Sequence, residues 1–173
     1  MTDHNTIKGA LRLAEKDPEF IIVGEEITWD SRGEIIGLFM KEAIPEGKSA
    51  AYTLDALHEQ NAFVFIPHPF APFHFFCPPG NILKMADRID AVEIRNGRNF
   101  RILNTCAATF CSLAKIQGIC GSDAHLQKNV GRAGMLLPDF STADELRKAI
   151  KTAKPFGSGQ SLFSSLKLLK KVF

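Results

Sequence analysis

Six residues able to bind a metal or move a proton are spread along this chain: His4, Glu26, His68, Glu93, Asp123 and His125. Each lies at or just past the end of a short apolar run. Three imidazoles and three carboxylates mix borderline nitrogen donors with hard oxygen donors. That mixture suits Zn²⁺, Mn²⁺ or Fe²⁺ better than an all-oxygen Mg²⁺ or Ca²⁺ site. A carboxylate shared between two such ions builds a binuclear centre for attack on phosphorus. Asp123 and His125 stand two apart after a strand, so in extended chain both face one side. Taken singly, each residue has a plainer role. Asp3 suits the N-cap of a first helix, Glu93 a salt bridge with Arg95, and His58 and His74 ordinary hydrogen bonding. Of the adjacent Glu25 and Glu26, one points inward and the other into solvent. It is their joint position that favours a metal site.

The elements that must position these residues alternate between strand and helix. Apolar spacing predicts a helix over Ile7, Ala10, Leu11 and Ala14, then strands at 20–24, running on to Trp29, and at 34–40, with a turn at 31–33. A helix at 49–60, a strand at 63–66 and a loop rich in Pro and Phe at 69–80 follow. Beyond it come a short helix near 82–85, a strand at 91–94, a long helix at 99–116, and strands at 118–121 and 134–137. Thr142 with Glu145 reads as a capping box opening a helix to about residue 153, and 161–173 as an amphipathic helix. This alternation predicts a parallel α/β sheet, open or closed, whose C-terminal rim gathers the six residues.

A length of 173 residues, 45% of them hydrophobic and 23% charged, fits one soluble domain spanning 1–173. No apolar run approaches the roughly 20 residues that span a bilayer, and the N-terminus lacks the regions of a signal peptide. A cytoplasmic protein with no membrane partner is expected. The net charge of +2 argues against a nucleic-acid partner, although residues 1–150 are mildly acidic and the lysine-rich tail is basic. Cys77, Cys106, Cys111 and Cys120 form no C-x-x-C pair and read as reduced, buried thiols, with Cys106 and Cys111 on different sides of one helix.

The segments Thr2-Asp3-His4-Asn5-Thr6, Gly24-Glu25-Glu26-Ile27, Ile66-Pro67-His68-Pro69 and Gly121-Ser122-Asp123-Ala124-His125 resemble, in order and spacing, the PHP (polymerase and histidinol phosphatase) superfamily. The resemblance extends over Glu93-Ile94-Arg95-Asn96 and runs along essentially the whole chain. It implies an α/β fold: a distorted, TIM-like, seven-stranded barrel with up to three divalent metals at its C-terminal rim. It also implies hydrolysis of a small phosphorylated or nucleotide-like substrate. Glu26 matches the carboxylate bridging two metals, Asp123 a ligand of the first, His68 of the second, and His4 and His125 of the third. Glu26, Asp123 and His125 are the implied catalytic residues. Asp3, Glu93 and Asn96 would orient the ligands, and Arg95, Arg98 and Arg132 are candidates to hold substrate phosphate.

Two departures from the family pattern shape the expectations. The family opens with an H-x-H segment that has no counterpart here, so the resemblance implies a barrel incomplete at the N-terminus, with a start assigned inside a longer gene. The strand after the bridging glutamate often carries another histidine, where this chain has Ile35-Ile36-Gly37. Each of the first two metals is then left with two protein ligands, fewer than the usual three. Weak metal binding and poor activity follow, as does a homo-oligomer covering the open barrel edge. Phe70, Phe73, Phe75 and Phe76 suit either a lid or an apolar plug. The competing functions are a catalytically impaired PHP-like binding module and a metal-dependent amidohydrolase, the latter disfavoured because no lysine stands at a strand end.

Overall fold

The computed structural model describes residues 1–30, 33–71 and 76–159. Its elements in chain order are β1 (Thr2–His4), α1 (Lys8–Ala14), β2 (Gly24–Trp29), β3 (Gly33–Leu38), α2 (Ala50–Glu59), β4 (Phe63–Ile66), α3 (Pro79–Met85), β5 (Ala91–Asn96), α4 (Arg101–Ala114), β6 (Gly118–Gly121), β7 (Ala133–Leu136), α5 (Ala143–Ala149) and β8 (Lys154–Gly157). Strands β1 to β6 form one curled sheet in sequence order, and β7 pairs with β8 in a separate ribbon.

The sheet is mixed, which corrects the all-parallel reading. The turn between Trp29 and Gly33 is too short for a crossover, so β3 returns antiparallel to β2 and also pairs antiparallel with β4. The β1–β2, β4–β5 and β5–β6 pairs are parallel. Five strands therefore end at one rim while β3 begins there. A half-barrel of six strands results among the described residues, rather than a closed barrel of seven.

Alternation along the strands sends side chains to two separate cores. Ile27, Ile35, Val64, Ile66 and Val92 face the helices, packing on Leu54 and Leu57 of α2, Ile82 and Met85 of α3 and Cys111 of α4. Ile36, Phe63, Phe65 and Ala91 line the concave face, closed at one end by Leu146 of α5 and by Ile150. The capping box at α5 takes a shifted form. Thr142 Oγ1 accepts from the Glu145 amide at 3.2 Å, and the Glu145 carboxylate accepts from Ser141 rather than from Thr142.

Two burial expectations change. Glu25 is fully buried on the helix-facing side, where it accepts from the Ile44 amide at 2.8 Å, and burial raises its pKa. Cys106 is exposed while the other three cysteines are buried, so the divergence of Cys106 and Cys111 on α4 holds but the burial of Cys106 does not. His58 hydrogen-bonds the Arg88 carbonyl at 2.9 Å. In the aromatic loop, Phe70 packs edge-on against Phe110 of α4, 5.8 Å between ring centres. Phe73, His74 and Phe75 of that loop, the turn at 31–32 and the expected helix at 161–173 lie outside the described residues. No helix among the described residues is long and apolar enough to cross a membrane.

Candidate metal centre

Register places the first donors. His4 is the ladder partner of Glu26, and Glu26 is the partner of Ile36, so these three share the concave face. Glu34, two residues before Ile36 on the same strand, returns to that face beside Glu26. His68 enters from the neighbouring strand, two residues past the end of β4. The atoms converge. His4 Nδ1 lies 3.2 Å from Glu34, and its Nε2 lies 3.6 Å from Glu26. His68 Nε2 donates to Glu26 Oε1 at 3.0 Å and lies 3.5 Å from Glu34.

Glu34 was not among the residues singled out from sequence. The signal for it is present: a short turn after Trp29 makes β2 and β3 a hairpin, and period two then puts Glu34 and Ile36 on the face of Glu26. A parallel reading of the strands hides that relation, because it never sets β3 against β2.

Electrostatically this is a crowded pocket. The Glu34 carboxyl is pushed up to about 7, first by burial and then by the neighbouring Glu26 charge, against the pull of His68 and His4. Burial also opposes a charge on His68. The Glu26 hydrogen bond and the Glu93, Glu26 and Glu34 charges outweigh it and hold the imidazole at about 9. Glu93 is raised to about 7 by burial, although His68, Asn96 and the His68 amide all favour its charged form.

The other half of the cleft is organised by a buried asparagine. Asn96, 1% exposed, donates through Nδ2 to Glu93 at 2.9 Å and to Asp123 at 3.1 Å. Its Oδ1 accepts from the Arg98 and Asn99 amides. Glu93 accepts in addition from the His68 amide at 2.7 Å, which ties this half to the first. Arg98 Nη1 contacts both oxygens of Asp123 and both ring nitrogens of His125. Both His68 (φ 25°) and Asp123 (φ 47°) adopt left-handed backbone, which side chains other than glycine rarely do. Strain of that kind, held by surrounding hydrogen bonds, gathers at functional sites. A Cβ at Gly121 would stand 3.0 Å from Glu93 Oε1, so a small residue here lets β6 approach the buried carboxylate.

His4, Glu26, His68, Glu93, Asn96, Asp123 and His125 thus line one cleft of about 690 Å³, within the range of small-molecule sites. Asp3 also borders it, but its carboxylate is set against Gly9 of α1. Arg95 donates to the Gly157 carbonyl at 2.9 Å, and Arg132 is exposed on the approach to β7; neither lines the cleft.

The donors of the first half fit a divalent cation. One nitrogen of His4 and one oxygen each of Glu26 and Glu34 all lie within 4.8 Å of one another, and both carboxylates are buried. Two buried carboxylates side by side repel, and a cation between them relieves both. Three protein donors meet the usual number for a catalytic site.

A family model described as PHP-associated matches residues 101–155. Uncharacterized protein MJ1587 of Methanocaldococcus jannaschii is 41% identical over 75 residues, which are 42% of this chain and 43% of that protein. Uncharacterized protein MJ0417 of the same organism is 35% identical over 126 residues, 66% of this chain and 50% of its own. The chain spans about half the length of these relatives. Among solved structures, a two-domain protein from Bacteroides vulgatus containing a predicted PHP-like metal-dependent phosphoesterase shares the fold. The TM-score is 0.64 at 21% identity, covering 90% of this chain and 50% of that one.

Proposed function

We propose that this chain is a member of the PHP superfamily, a metal-dependent phosphoesterase acting on a small phosphorylated substrate; the PHP-associated match over residues 101–155 and the fold shared with a PHP-like protein support the reading. The observation that carries the reading is the convergence of His4, Glu26 and Glu34 within ligand distance of one another, with His68 against both carboxylates. A divalent ion bound by His4, Glu26 and Glu34 would supply the positive charge that polarises a phosphoryl group and stabilises its transition state.

The chain's own residues would do the rest. Glu93 and Asn96 hold His68 and Asp123 in place, and such supporting hydrogen bonds commonly matter 10- to 100-fold. At the mouth of the cleft, His125 has its Nδ1 3.3 Å from Asp123, and Arg98 Nη1 lies against both of its ring nitrogens. As water adds to phosphorus and the ester P–O bond breaks, His125 would relay the proton that the water loses to the departing oxygen.

The test is phosphate release from a panel of small phosphomonoesters and one phosphodiester, using metal-stripped protein supplied with Mn²⁺ or Zn²⁺. Hydrolysis that depends on the added ion, and falls on the order of 100-fold or more in Glu26→Gln and Glu34→Gln, is the expected result. Ion binding without hydrolysis of any ester would overturn the enzymatic reading in favour of a metal-binding module.

A further inference from the structure

The cleft has two halves, and they are built for cations of different kinds. Accepting the metal reading of the first half, we infer that Arg98 is the resident cation of the second, so that Asp123 and His125 bind a guanidinium instead of a second metal ion. Arg98 Nη1 lies 3.3 and 3.4 Å from the two oxygens of Asp123. The same nitrogen lies 3.0 and 3.2 Å from the two ring nitrogens of His125. An ion held by this pair would need the same carboxylate and one of the same ring nitrogens.

The arginine is held there from both ends. Its backbone amide donates at 2.8 Å to Asn96, and the same Asn96 side chain donates to Asp123. One buried residue therefore fixes the arginine and the carboxylate it neutralises. By count, Asp123 and His125 alone would make a weak metal site at most. Among the described residues, the group of three metal-binding side chains within reach of one another is His4, Glu26 and Glu34, with His68 beside it, and it does not include Asp123 or His125. A pair of donors falls below the usual three. Arginine keeps its charge at any working pH, so it does not vacate the place by losing a proton. An ion arriving beside it would meet like charge a few ångströms away.

The consequence is a site that runs on one metal ion plus one fixed guanidinium. A phosphoryl group spanning the cleft would meet Mn²⁺ or Zn²⁺ at one side and, at the other, Asp123 and His125 with Arg98 seated against them. The planar fork of arginine is well matched to phosphate oxygens.

Counting ions separates this proposal from the metal reading on which it rests. Equilibrium dialysis against Mn²⁺, with the bound ion measured by mass spectrometry, is applied to the wild-type chain, Glu34→Gln, Asp123→Asn, Arg98→Ala and Arg98→Gln. The wild type should hold one ion per chain, Asp123→Asn the same, and Glu34→Gln should bind at least 10-fold more weakly. Either arginine variant should gain a second, weaker ion that disappears again when Asp123→Asn is added. A wild-type ion released by Asp123→Asn, or arginine variants that stay folded and remain at one ion, would overturn the proposal. If neither arginine variant folds, the Asp123→Asn comparison decides alone. Absence of any ion in every chain would instead overturn the metal reading itself.

Discussion

Glu34, Glu93 and His68 carry an electrostatic load that should be visible in the metal-free protein. Both glutamates hold their protons up to about 7 in the folded state, well above an ordinary carboxylate, and His68 holds its own up to about 9. A folded state that binds protons more tightly than the unfolded chain is favoured at low pH. The glutamate contributions are complete below about pH 4.5 and fade as pH rises through about 7. That of His68 is complete below about pH 6.5 and fades through about 9. The urea midpoint in chelator should therefore fall as pH is raised from about 5 to about 9. Glu34→Gln should flatten the lower part of that slope, because an amide has no proton to lose. A midpoint that climbs between about pH 5 and pH 7, equally in wild type and variant, would contradict this electrostatic picture. At this scale the shared position of His4, Glu26 and His68 on one rim was legible, and all three line one cleft. The sequence was opaque at Glu34, whose role depends on which strand runs backwards, and at the partners of Arg98, which arrive from a separate loop.

Elements were read well where the local signal is strong. The strands at 63–66 and 118–121 and the helix at 50–59 follow from apolar patterning; the structure adds a cap at Ser49, whose Oγ accepts from the Tyr52 amide. The direction of β3 was not legible from apolar content alone, because a strand buried on both faces looks the same running either way. Docking of α5 was equally hidden, since it rests on contacts distant in sequence. Arg147 reaches from α5 to Asp90 at 2.9 Å, to Asn61 at 2.9 Å and to the Ala62 carbonyl at 2.6 Å. These bonds clamp the helix over the ends of β4 and β5 remote from the cleft. Arg147→Met would leave the partly buried Asp90 without its cation and should cost about 2 kcal/mol in urea denaturation. Metal affinity should stay unchanged, because the clamp and the cleft lie at opposite ends of the strands. A variant as stable as wild type would show that packing of Leu146 and Ile150 alone seats the helix.

For the molecule as a whole, the curled sheet brings donors from β1, β2, β3 and the loop after β4 to one place, and no single segment contains the site. The central claim is that His4, Glu26 and Glu34 bind the ion. Crystals of the chain grown with Mn²⁺ test it most directly, through anomalous scattering recorded on both sides of the manganese absorption edge. The account predicts one strong anomalous peak among His4, Glu26 and Glu34, absent from Glu34→Gln crystals grown in the same way. A peak seated instead between Asp123 and His125, with none at Glu34, would contradict it.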